Sequence, residues 1–236
     1  RGMDRRRALL TGSAGVLGPS RSPQLDALRA FAVAGVLLYH FTRQPELGIC
    51  AVAGVKLFFV LSGFLITRLL LVARRDVDFG RQHRSAALGQ FYARRALRIF
   101  PLYYLVVGVS VAVDLAPARE IFPWLLSYTL NLHMARLGQS GHFAHFWTLA
   151  VEEQFYLVWP WLIVCAPRVL LVPTVVSLIA LAPIYRLYGV ATDMNAVALY
   201  VSPLASLDSL GMGALLALVT DREFARIRLA RCWDRL

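Results

Sequence analysis

Long apolar runs separated by short polar stretches dominate this chain, and the length of those runs sets the elements they predict. Runs approaching the roughly 20 residues needed to cross a bilayer fall at about 24–42, 48–73, 99–117, 120–134, 145–166, 168–188 and 196–219. Because lipid offers no hydrogen bonds to an open backbone, such runs fold as helices. The pattern therefore predicts an all-α fold, a polytopic membrane helix bundle with about seven candidate transmembrane segments. The fourth run, IFPWLLSYTLNLHM, is short and holds Pro123 and Asn131. A full span, a re-entrant segment and an interfacial helix all stay open for it. Residues 1–22 are basic and glycine-broken, too short to span and without a small-residue cleavage site. They read as a cytoplasmic arm rather than a signal peptide. Three stretches follow: the arm 1–22, a membrane domain 23–220 and an arginine-rich tail 221–236.

Composition strengthens the membrane reading. The 236 residues are 58% hydrophobic, with a mean hydropathy of +0.58 and only 17% charged, against about 25% in soluble domains. The net charge is +11, and Lys56 is the only lysine. Arginines beside apolar spans orient a chain against the cytoplasmic leaflet, so the expected partner is the lipid bilayer and not nucleic acid. Eight arginines, at 68, 74, 75, 81, 84, 94, 95 and 98, face only Asp76 and Asp78 between residues 68 and 98. The positive-inside rule places that stretch and the N-terminal arm in the cytoplasm. The side of the tail then depends on whether the fourth run spans. Cys50, Cys165 and Cys232 are scattered, and no metal site is expected.

Four local patterns carry candidate chemistry. Arg29 and His40 lie eleven residues apart with no charge between them. Eleven helical steps return within about 20° of one face, roughly 16 Å along the axis, so the pair shares a stripe. An ionisable group in the bilayer is a functional hypothesis by default, and histidine is suited to taking and returning a proton. In GVKLFFVLSGFL, Ser62 and Gly63 permit either close helix contact or backbone approach to a ligand. In FYARRALRIFP, Arg94, Arg95 and Arg98 precede Pro101, expected to break or begin a helix. Those arginines either anchor lipid headgroups or grip phosphates. In FWTLAVEEQFYLVWPW, Glu152 and Glu153 sit in apolar surroundings, with Thr148, Glu152 and Tyr156 on one stripe. Adjacent positions point about 100° apart, so one glutamate is expected to face inward, with Arg29 or His40 as its partner.

Taken in order, these motifs resemble the integral-membrane acyltransferases of family 3, the O-acetylase type that modifies sugars on polysaccharides, peptidoglycan and some antibiotics. The resemblance runs through Arg29 and His40, FFVLSGFL at 58–65, RRALRIFP at 94–101 and WTLAVEEQFYLVWP at 147–160. It continues more weakly in SLDSLGMGALLAL at 206–218, where Asp208, Gly211 and Gly213 fit. Ser206 stands where the family has an arginine, and Lys56 where many members have an acidic residue. Such proteins typically carry about ten spans, so the chain is expected to be C-terminally shortened. The resemblance implies an acyltransferase moving an acyl group, most often acetyl, from acyl-CoA (acetyl-CoA) to a hydroxyl of a carbohydrate or glycolipid acceptor. It implies His40 as general base, with Arg29, Glu152 and Glu153 as its catalytic neighbours. It further implies Arg94, Arg95 and Arg98 at the CoA phosphates, and Ser62, Tyr156 and Asp208 in the substrate pocket. No permanently bound cofactor is expected, and the expected location is the plasma or inner membrane, multi-pass, with a cytoplasmic N-terminus. The alternatives are a proton-coupled transporter or flippase, and an inactive shortened member.

Overall fold

The computed structural model describes residues 23–42, 44–138 and 143–221. The expected arm 1–22 and all but the first residue of the tail 221–236 lie outside the described residues. Within them the chain is helical, with no strand among the described residues. Helix α1 (Pro23–Thr42) leads through a 3₁₀ turn at Pro45–Leu47 into α2 (Gly48–Asp78), followed by α3 (Arg84–Ala112). Two short helices, α4 (Phe122–Leu126) and α5 (Leu130–Leu137), precede α6 (Phe146–Cys165), α7 (Arg168–Ala191), α8 (Ala196–Val201) and α9 (Pro203–Thr220). Local signals place several starts. Asn195 caps α8 by accepting from the Ala198 amide at 2.6 Å, and Ser202 caps α9 by accepting from the Leu204 amide at 3.2 Å. Pro203 opens α9, where its missing N–H is not needed.

Among the described residues, four helices are long and apolar enough to cross a membrane: α2, α3, α7 and the α8–α9 pair, Ala196–Thr220. α1 and α6, at 20 residues each, have spanning length but carry Asp26 and Arg29 in one, Glu152 and Glu153 in the other. Of the three readings open for the fourth run, the full span is not formed. Its residues form helices of five and eight residues, the longer only about 12 Å, broken where Tyr128 takes a left-handed φ of 53°. The expectation for Pro101 is also corrected, because α3 runs through it. One backbone hydrogen bond is lost there, which helices in a membrane setting tolerate. Consequently the arginine-rich stretch is not a loop: only residues 79–83 turn, and the other arginines ride on α2 and α3.

Ion pairs fix which helix ends lie together. Arg75 meets Asp221 at 2.8 Å, and Arg168 meets Asp78 at 2.7 Å. The C-terminal ends of α2 and α9 and the start of α7 thus share one end of the bundle with the arginine-rich turn. Helix α9 therefore ends at the same end of the bundle as that turn. α2 is the axis of the bundle, packed by α1, α3, α6 and α9. α9 runs parallel to α2 in close contact: a Cβ on Gly63 would strike the Leu210 carbonyl oxygen, and one on Gly213 the Val60 carbonyl oxygen. These contacts require glycine at both positions.

Candidate active site

The close approach at Gly63 turns the preceding residue, Ser62, toward α6, where its hydroxyl donates to Glu152 Oε1. The close-contact reading of the SGFL segment therefore holds at Gly63. Two further bonds keep α2 and α6 in register: Trp159 Nε1 donates to Thr67 at 2.9 Å, and Arg74 to the Ile163 carbonyl at 2.6 Å. Glu152 is 4% exposed. From α3, Arg95 reaches it at 3.9 Å and reaches Glu153 at 3.4 Å, while its guanidinium lies 3.4 Å from the centre of the Tyr156 ring. Four helical positions and one arginine thus make a closed polar core. Behind it, Gln154 and Asn131 exchange amide hydrogen bonds at 3.0 and 3.3 Å, and Gln154 also donates to the Tyr128 carbonyl at 2.9 Å. These bonds latch the α4–α5 segment to α6 beside the glutamates.

Several expectations change. Among the described side chains the partner of the glutamates is Arg95, not Arg29. α1 packs on the N-terminal half of α2, with Ala32 against Gly54 and Gly35 against Cys50, and Arg29 pairs with Asp26 at 4.0 Å in its own first turn. The His40 side chain lies outside the described residues; its backbone belongs to α1. Both glutamates, rather than one, face the core, because a long guanidinium between them spans the 100° between adjacent positions. The three arginines do not act together. Arg94 and Arg98 share the exposed face of α3, four residues apart, while Arg95 turns inward. Of the residues placed in the substrate pocket, Ser62 and Tyr156 join Glu152, and Asp208 does not.

Asp208 belongs to a second cluster. Lys56 approaches one of its oxygens at 3.1 Å and Arg186 the other at 2.8 Å, and both cations also donate to the Ala205 carbonyl. Arg186 on α7 thus supplies one cation to Asp208, and Lys56 supplies a second. Arg186 escaped the sequence reading, although an arginine inside an apolar helix is itself a signal.

Chemically, the first cluster places a buried carboxylate, a hydroxyl and a guanidinium within one apolar site. One guanidinium faces two carboxylates, so one formal negative charge is in excess if both are ionised, and fixed donors and acceptors act strongly where water is excluded.

A family model described as an acyltransferase domain matches residues 22–232. The chain is 32% identical over 154 residues to peptidoglycan O-acetyltransferase OatA of Listeria monocytogenes, covering 58% of this chain and 23% of that protein. It is 31% identical over 221 residues to O-acetyltransferase OatA of Staphylococcus aureus, covering 85% of this chain and 35% of that protein. The chain spans between about a quarter and about a third of the length of these relatives. No solved structure matches. The helices are those of a multi-pass membrane protein, and with the family model matched over most of its length the chain belongs to the acyltransferase family 3.

Proposed function

We propose that this chain carries the acyl-transfer site of a membrane O-acyltransferase, moving an acyl group from acyl-CoA to a hydroxyl of a carbohydrate-containing acceptor. The observation that carries this reading is the buried Ser62–Glu152–Arg95–Glu153 cluster, formed by segments that lie within the family match. The names of the relatives supply the class of acceptor. In the reaction, the acceptor hydroxyl loses its proton to a base as its oxygen bonds to the thioester carbonyl carbon. The carbon–sulfur bond then breaks, and the departing thiolate takes up a proton. A sugar hydroxyl needs such a base, and the developing oxyanion needs a donor.

His40 is the base in this scheme. Arg95, held between Glu152 and Glu153, is the fixed cation of the polar core in this scheme. Arg94 and Arg98, free of the carboxylates, are left to face the CoA phosphates, which arginine binds in bidentate fashion. Purified protein supplied with labelled acetyl-CoA and a carbohydrate acceptor should consume the thioester. His40→Gln should lower the rate by about 10²–10⁴ while the protein still folds and binds acyl-CoA. Near-full turnover in that variant would move the base to Glu152 or Glu153. A protein that never consumes the thioester would favour a transporter.

A further inference from the structure

We infer that the hydroxyl of Tyr128, together with Arg95 and Glu153, holds the hydroxyl group on the pantetheine arm of the donor. This rests on the acyl-CoA reading above. Three buried polar atoms at the polar core make no hydrogen bond within the described residues: Tyr128 Oη, Arg95 Nε and Glu153 Oε1. Tyr128 is 8% exposed and lies within electrostatic reach of both Glu153 and Arg95. Two of the three atoms donate and one accepts. A hydroxyl is their complement, because its oxygen accepts from two donors while its hydrogen donates to a carboxylate, and buried polar groups need such a partner. The site is enclosed without being sealed, since the side chains of Arg95 and Glu153 keep 16% and 15% exposure.

Several contacts fix the tyrosine. Its ring stacks on Tyr103 with centres 4.1 Å apart and packs against Phe100 and Tyr104 at 5.8 and 6.0 Å. Gln154, the neighbour of Glu153, donates to its carbonyl at 2.9 Å. Its left-handed φ of 53° is one that a bulky residue rarely adopts, and such positions cluster at ligand clamps. The aromatic rings suit the group beside the hydroxyl, because on the pantetheine arm that hydroxyl adjoins a carbon bearing two methyl groups, and apolar carbon packs on aromatic rings. Position selects the donor over the acceptor. Arg94, left to face the CoA phosphates, immediately precedes Arg95 on α3, and the hydroxyl lies at the pyrophosphate end of the arm. The thioester at the other end stays free to extend toward α1, which carries His40.

The test uses the whole chain in nanodiscs and measures dissociation constants for acetyl-CoA and for an acetyl-CoA whose pantetheine hydroxyl is replaced by hydrogen. The deoxy donor should bind about tenfold more weakly or worse, because three buried groups lose their partner. Tyr128→Phe keeps the stacked ring and removes one donor, so acetyl-CoA should bind it about two- to tenfold more weakly. The same substitution should barely change binding of the deoxy donor, a coupling that a merely structural role would not produce. Equal losses with both donors overturn the inference and assign the tyrosine to the acceptor or to a water molecule. So does unchanged affinity of Tyr128→Phe for acetyl-CoA, or a deoxy donor bound as tightly as acetyl-CoA. The comparison of the two donors uses the parent alone, so it decides the matter even if Tyr128→Phe fails to fold. A parent that binds neither donor refutes the acyl-CoA reading itself.

Discussion

Two ionic clusters hang from α2 six residues apart, at Lys56 and Ser62, a rise of roughly 9 Å, and their charges are mirror images. One sets Glu152 and Glu153 around Arg95; the other sets Lys56 and Arg186 around Asp208. They differ most in burial. The side chains of the first are 5% to 16% exposed, and those of the second 22% to 39%. They differ also in satisfaction. Asp208 accepts from Lys56, from Arg186 and from the Ser209 amide at 2.6 Å. Arg95 Nε and Glu153 Oε1 are buried without a hydrogen-bond partner, 3.4 Å apart but misaligned. Buried polar groups that stay unpaired need a reason, and unused capacity for a ligand is a sufficient one. The open cluster latches α2, α7 and α9 together, and the closed one is the centre of the proposed transfer site.

Removing the central ion of each cluster tests that contrast. Arg95→Leu strands two buried carboxylates and should cost about 3–5 kcal/mol, read as a lower melting temperature in detergent, along with loss of transfer. Arg95→Lys restores charge but not the fork that spans both glutamates, so its recovery should be partial. An Arg95→Leu protein as stable as the parent would mean that the carboxylates need no counter-ion. Glu152→Gln separates stability from function. It keeps an acceptor for Ser62 and removes one negative charge, so the fold should survive while turnover falls by about 10² or more. Full turnover would reduce Glu152 to a packing residue.

Next to the closed cluster, one residue past Ser62, lies the glycine contact. Gly63→Ala drives a methyl group into the α9 backbone at Leu210, and neither backbone can yield as a flexible side chain would. The expected loss is about 1–3 kcal/mol, with both clusters loosened together. A Gly63→Ala protein with parent stability would mean that α2 and α9 separate easily and that the two clusters are not coupled through them.

What could be read in advance follows the physics of each feature. Spans were legible because the bilayer imposes a length on apolar runs, and the break in the fourth was signalled by Pro123 and Asn131. Glu152 and Ser62 were legible as polar groups in apolar helices. The partner of Glu152 was not, because helix adjacency is a tertiary fact, and the shared stripe of Arg29 and His40 says nothing about which helix it faces. Arg95 was partly legible. Arg94 and Arg98, four apart, share a face, which leaves Arg95 turned by about 100°, and that geometry already separates it from the other two. Arg186 lay outside every quoted motif, and only its charge within α7 marked it.

The smallest effects belong to the open cluster. Asp208→Asn leaves Lys56 and Arg186 side by side, yet both are more than a third exposed and the asparagine oxygen still accepts. The loss should stay near or below about 1 kcal/mol, as for exposed ion pairs, and should shrink in high salt as the two cations are screened from each other. Lys56→Met should cost less still. Asp208 keeps Arg186 at 2.8 Å and the Ser209 amide, so one carboxylate is then balanced by one cation, and the methionine stem packs where the lysine stem did. Thioester turnover and melting temperature should both stay close to those of the parent. If Lys56→Met abolishes turnover in a folded protein, the open cluster contacts the reaction, and the division of α2 into a latch and a site fails.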